Sequence, residues 1–327
     1  MKTTHLPTPH EALFKKIMLL VTAAVIFIGG PLLVPPLTKL KGIGLNSRAW
    51  RASYTERLLP VPSGPREGWW GQSTPSVHDG ILGMVQAERH VPGYFEVNRW
   101  GMQSASGGPR PQARLLIMGG SVAAGAYASN LGRTYFHQLA HRLSALACPV
   151  EIIVYATGAW TSANELAALR LRGLSLKPDY VVFLDGMNDL ILYKDWPEEK
   201  RVQQYLAHMR EARDLALARH IKVVFAPQPF LPEKKVKTGY EVLMLAESYP
   251  RVDRLIKAHD EMIRGLQEMT VPGKVYLEDC SGAFDRRKKT VFADIWHFSD
   301  IGHFILARRL ARDLAPILTS GNHLRQD

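Results

Sequence analysis

From residue 112 onward the chain repeats five short apolar runs, "ARLLIM", "VEIIVY", "DYVVFLD", "IKVVFA" and "KVYLED", and nothing else in it limits the possible folds so strongly. Between and after them lie stretches with helical spacing, near 132–147, 162–175, 197–220, 248–269 and 300–318. Strands that alternate with helices form a parallel sheet covered on both faces. The expected fold class is therefore α/β: a three-layer α/β/α sandwich around a five-stranded parallel sheet, occupying residues 111–327. In the last helix, Ile301, Phe304, Ile305, Leu306 and Leu310 are expected to dock on the sheet, with Arg308, Arg309 and Arg312 turned elsewhere.

The rest of the chain is organised differently. No charged residue occurs from Ile17 to Thr38, and Lys15 and Lys16 stand just before. Twenty-two residues of helix would rise about 33 Å, enough for a bilayer core of roughly 30 Å. Residues 1–38 thus read as a cytoplasmic tip and membrane anchor, with the bulk of the protein expected outside the cytoplasm. Pro31, Pro35 and Pro36 interrupt the segment, and a signal peptide removed on secretion is the alternative. Residues 39–110, rich in Pro, Gly, Trp and Ser, read as a linker and an irregular preamble packed by Trp69, Trp70 and Trp100.

The formal charge of +11 does not mark a nucleic-acid partner, because residues 1–60 hold eight Lys or Arg against two acidic residues. The basic surplus lies next to the anchor and suits an anionic membrane or envelope polymer, and no nucleic-acid motif accompanies it. Cys148 and Cys280 fall at opposite ends of the expected sheet, so neither a disulfide nor a metal site is expected from them. Residues 227–243, "PQPFLPEKKVKTGYEVL", are expected to form a solvated loop, with a lid or substrate rim as the other reading.

Ligands of open parallel sheets gather at the carboxyl ends of the strands. Ser121 follows the first strand in "GGSV", Gly158 the second in "TGAW", and Asn188 and Asp189 the third in "DGMNDL". After the fifth comes "FADIWHFSDIGH", with Asp294, His297 and, expected on the helix and outside the site, His303. Each has an ordinary reading as well: serine as a helix cap, Asn-Asp as a turn, Gly158 as a loop glycine, Asp294 and His297 as caps of the last helix, Asp185 as a turn residue. Together they are a set suited to acyl transfer. A serine hydroxyl needs a base to take its proton, an imidazole needs a carboxylate to orient it, and the tetrahedral intermediate needs N–H donors. The sequence lacks G-x-S-x-G, the phosphate-loop pattern, G-x-G-x-x-G after the first strand and H-E-x-x-H, so nucleotide and zinc chemistry are not expected.

The four blocks, in this order and spacing over about residues 112–318, resemble the SGNH hydrolase superfamily, also called GDSL esterases and lipases. The resemblance implies a flavodoxin-like sheet, Ser121 as nucleophile, His297 as base, Asp294 as its partner, and Ser121, Gly158 and Asn188 as oxyanion donors. It implies no cofactor and no metal. Two blocks depart from the family pattern: in the first, Gly120 stands where an aspartate is usual and Val122 where a leucine is, and in the second Thr157 stands before Gly158 in place of the frequent asparagine. The expected function is a serine esterase removing an acyl group, acetyl for example, from an envelope polysaccharide or lipid. An O-acyltransferase using the same residues and a non-catalytic envelope binding protein are the alternatives.

Overall fold

The computed structural model of the protein describes residues 76–248 and 252–320. The expected anchor at 17–38, Trp69 and Trp70 lie outside the described residues, and among those described no helix is long and apolar enough to cross a membrane.

Two small antiparallel hairpins come first, β1 (Ser76–Asp79) with β2 (Gly83–Gln86), and β3 (Arg89–Val91) with β4 (Phe95–Val97). The central sheet contains β5 (Gln103–Ser106), β6 (Ala113–Gly119), β7 (Val150–Ala156), β8 (Tyr180–Leu184), β9 (Lys222–Phe225) and β10 (Val275–Leu277). Its order is β10-β9-β8-β6-β7-β5, and all neighbours are parallel except β5, which runs antiparallel to β7. The five parallel strands are the five apolar runs of the sequence, in the doubly wound order 2-1-3-4-5.

The sheet therefore has six strands where five were expected, and residues 76–106 are not irregular. β5 is a short edge strand of alternating burial, with Gln103 and Ala105 inward and Ser104 and Ser106 outward. Four residues of mixed polarity carry too little period to stand out from their surroundings. Trp100, expected to pack on the domain, is 44% exposed, with the Arg99 guanidinium over its ring.

Seven helices flank the sheet among the described residues: α1 (Tyr135–Ala145), α2 (Ser162–Leu171), α3 (Met187–Leu192), α4 (Glu198–Leu217), α5 (Gly239–Ser248), α6 (Val252–Gln267) and α7 (Asp300–Ser320). α1 packs with α7 on one face, while α2, α4 and α6 pack side by side on the other. Leu116, Met118, Val181, Phe183, Val223 and Phe225 enter the core beneath this second layer. In α7 the inward stripe includes Ile305, Leu306 and Leu310, as expected, but Ile301 and Phe304 are 40% and 42% exposed. The buried row falls on Gly302, His303, Leu306 and Leu310, which turns positions 301 and 304 outward; Arg142 covers the Phe304 ring at 4.5 Å.

The lysine-rich segment is not a solvated loop. Phe230, Leu231, Lys234 and Glu241 are buried, and the Lys234 ammonium is hydrogen-bonded to the Glu241 carboxylate. Glu241 also accepts from the backbone N–H of Thr238 at 2.9 Å and of Val291 at 3.0 Å, which ties this segment to the stretch leading to Asp294. Cys148 and Cys280 are buried free thiols.

Candidate active site

Strand register brings the loop residues together. Gly119, the last residue of β6, is paired with Ala156 of β7 and Leu184 of β8, so the three central strands end in one layer. Ser121, Gly158 and Asn188 follow these ends by two, two and four residues and leave at the same edge. The chain can turn there only because position 119 lacks a side chain: its φ is +154°, and a Cβ would collide with the Leu184 carbonyl. Position 120 is constrained by a side chain and not by the backbone. A Cβ on Gly120 would run into the Asn188 amide nitrogen, so the glycine standing in the family's usual aspartate position makes room for Asn188.

Ser121 Oγ lies 2.7 Å from His297 Nε2, and His297 Nδ1 lies 2.7 Å from Asp294 Oδ2. Asp294 Oδ1 accepts from the backbone N–H of Trp296 and of His297, each at 2.8 Å, which fixes the carboxylate plane. Burial pushes the Asp294 carboxyl up, but the His297 imidazole beside it and these hydrogen bonds outweigh that and hold it at about 2. An ionised Asp294 can only accept, so Nδ1 carries the proton and Nε2 presents its lone pair to the serine hydroxyl.

The backbone N–H groups of Ser121 and Gly158 have no hydrogen-bond acceptor among the described residues, and both residues line one small cavity. Asn188, on the first turn of α3, donates from Nδ2 to the Trp160 carbonyl at 2.7 Å. The amide has a second proton, and its nitrogen lies against Gly120, next to the serine. All five residues expected at the site are thus brought to one strand edge.

Other residues from the motifs support the site without joining it. Asp189 is buried, accepting from the Ser162 backbone N–H at 2.9 Å and its hydroxyl at 2.5 Å, and so fixes the start of α2. Burial pushes its carboxyl up to about 7. Asp185 is buried too, accepts from the Tyr205 hydroxyl at 2.9 Å and is raised by burial to about 6. Neither oxygen of the neighbouring Glu165 meets a donor among the described residues, and burial with the adjacent Asp185 charge pushes it well above the carboxylate range. His303 lies on α7 outside the site, as expected; burial lowers it to about 4, and Nε2 donates to the Ala126 carbonyl at 3.0 Å. It thereby holds the turn after the nucleophile. Among the described residues no group of three or more His, Cys, Asp or Glu is arranged to hold a metal ion.

The sequence reading missed Tyr127. Its ring stacks on the His297 imidazole, with centroids 4.8 Å apart and planes 21° from parallel, and its φ is +69°. That conformation is uncommon for a bulky side chain and persists only where packing enforces it. The sequence reading also missed the docked hairpins. Gln86 Nε2 donates to the Ala156 carbonyl at 2.6 Å, Gln103 Nε2 to Ala124 at 2.9 Å, and the Leu131 N–H to the Gly93 carbonyl in the β3–β4 turn at 3.0 Å. "DG" at 79–80 and "PG" at 92–93 were the signals that could have found them.

Among curated proteins none matches this chain. Among solved structures, an acetyl xylan esterase superposes with a TM-score of 0.49 at 15% identity, covering 62% of this chain and 99% of its own. An acetylxylan esterase from Geobacillus stearothermophilus gives 0.47 at 17% identity, over 62% and 94%. An alpha/beta hydrolase enzyme from the metagenome of Lake Arreo, Spain, gives 0.48 at 18% identity, over 64% and 98%. The sequence profile of the GDSL-like Lipase/Acylhydrolase family matches residues 117–305, more than half of the chain. The chain therefore belongs to the GDSL-like lipase/acylhydrolase family and is an ester-hydrolysing serine hydrolase.

Proposed function

We propose that Ser121, His297 and Asp294 are the catalytic triad of this hydrolase and that it removes an acyl group from an ester on an envelope polysaccharide or lipid. The observation that carries the reading is the unbroken chain from Ser121 Oγ through His297 to Asp294, two contacts of 2.7 Å. Ser121 Oγ bonds to the ester carbonyl carbon while its proton passes to His297 Nε2. The carbonyl oxygen becomes an oxyanion facing the N–H groups of Ser121 and Gly158 and the Asn188 amide. The intermediate collapses, the ester C–O bond breaks, and the departing alkoxide takes the proton from Nε2. Water then attacks the acyl-enzyme, gives a proton to Nε2, and Ser121 leaves with that proton as the carboxylic acid is released.

The uncharged stretch at 17–38 supports placing this chemistry at a membrane, with the hydrolase domain outside the cytoplasm. The reading is tested on the full chain by following p-nitrophenyl acetate hydrolysis in wild type, Ser121→Ala and His297→Ala. Loss of nearly all turnover in both variants supports it. Wild-type turnover no higher than that of Ser121→Ala refutes it.

A further inference from the structure

Residues outside the stretch matched by the family profile supply part of a feature that the hydrolase reading leaves unexplained: a small cavity beside the nucleophile, walled in part by the β3–β4 hairpin. Ser121, Gly158 and Tyr127 line it, and so do Tyr94, Phe95 and Gln103. The family match begins at residue 117, so the second group of walls belongs to this chain's own N-terminal segment. These walls are held in place. Leu131 is bonded to Gly93 in the hairpin turn, Gln103 to Ala124, and the Arg89 guanidinium lies 4.4 Å from the Phe95 ring centroid.

Chemistry decides which part of the substrate enters this space. The alcohol oxygen must depart beside His297 Nε2 to collect its proton, yet His297 is not a wall of the cavity. The two backbone N–H groups without acceptors, those of Ser121 and Gly158, belong to residues that do line it. A carbonyl held by those donors at Ser121 Oγ therefore directs its acyl chain into the cavity and its alcohol away. The cavity measures about 40 Å³, which at roughly 10–15 Å³ per water-sized group holds about three heavy atoms. An acetyl group has three; a butyryl group has five.

We infer that the β3–β4 hairpin, through Tyr94 and Phe95, closes the acyl pocket and restricts this hydrolase to acetyl-sized acyl groups. The inference rests on the hydrolase reading above. The larger alcohol part of the substrate, whether sugar or lipid, lies on the His297 side and is not measured by this pocket.

The test is a chain-length series on the full chain, with p-nitrophenyl acetate, propionate, butyrate and hexanoate as probes. Because each excess methylene is worth about 10–200-fold in a closed pocket, wild-type kcat/KM should fall by about 100-fold or more from acetate to butyrate. Phe95→Ala and Tyr94→Ala should each raise the butyrate-to-acetate ratio at least about tenfold. Phe95→Leu, which keeps most of the apolar volume, should move the ratio less and serves if the alanine variants fold poorly. Wild type that hydrolyses acetate and butyrate within threefold of each other, while Ser121→Ala hydrolyses neither, overturns the pocket assignment and leaves the hydrolase reading standing. Wild type that turns over no ester above the Ser121→Ala level overturns both.

Discussion

Gly120→Ala is the smallest change that should disable the site without substituting any group that takes part in the chemistry. The added methyl would meet the Asn188 amide nitrogen well inside van der Waals distance. To reach ordinary contact the amide must retreat by roughly 1 Å. Asn188 cannot do so at no cost, because its Nδ2 is held 2.7 Å from the Trp160 carbonyl, and a shift of that size breaks a hydrogen bond of ordinary geometry. The displaced amide no longer faces the oxyanion. Losing one such donor costs about 3–4 kcal/mol of barrier, or about 100- to 1000-fold in kcat.

The assay is steady-state hydrolysis of p-nitrophenyl acetate by Gly120→Ala, Asn188→Ala and the double variant, with thermal melts alongside. Because both substitutions act on one donor, the double variant should be no slower than the worse single variant, within about threefold. Two results would refute the reasoning. If Asn188→Ala is slow and Gly120→Ala matches wild type, the glycine does not make room for the amide. If both single variants match wild type, Asn188 does not stabilise the oxyanion.

Asp189 leads to a stability prediction of opposite sense to the usual carboxylate. Its folded pKa is raised from 3.8 to about 7, so its contribution is complete below about pH 4 and is lost as pH rises to about 7. Between pH 5 and pH 7 its term approaches about 1.4 kcal/mol per pH unit, and Asp189→Asn should flatten the decline of Tm across that range; parallel Tm curves would count against it. Lys234→Met should destabilise the fold by about 3–5 kcal/mol by leaving Glu241 buried and unpaired, with the double variant Lys234→Met/Glu241→Leu recovering part of the loss in urea melts.

What the sequence revealed, and what it hid, follows the range of the interactions involved. β6, β7 and β8 were legible because strands of five to seven residues buried on both faces advertise themselves, and the shorter β9 and β10 because their apolar runs continue the alternation with helical stretches. The meeting of Ser121, Gly158, Asn188, Asp294 and His297 at one edge was legible for a related reason: a doubly wound sheet delivers the segments after its strands there. β5 and the hairpins were not, since strands of three or four mixed residues have almost no period, and only the turn pairs "DG" and "PG" marked them. Lys234 read as solvated because lysine usually is; its partner Glu241, seven residues on, decides otherwise. Tyr127 could not be found at all, because neither its positive φ nor its stacking on a residue 170 positions away leaves a local trace. Gly120 is the most instructive case. From sequence it is a missing carboxylate, a loss judged against the family pattern. In three dimensions the absence is a space, filled by the amide of a residue 68 positions later. A substitution at a catalytic edge therefore cannot be judged as gain or loss until its cross-strand neighbour is known. Here that neighbour predicts that restoring the usual family residue, Gly120→Asp, should lower activity at least as much as Gly120→Ala, because its Cβ meets the same amide.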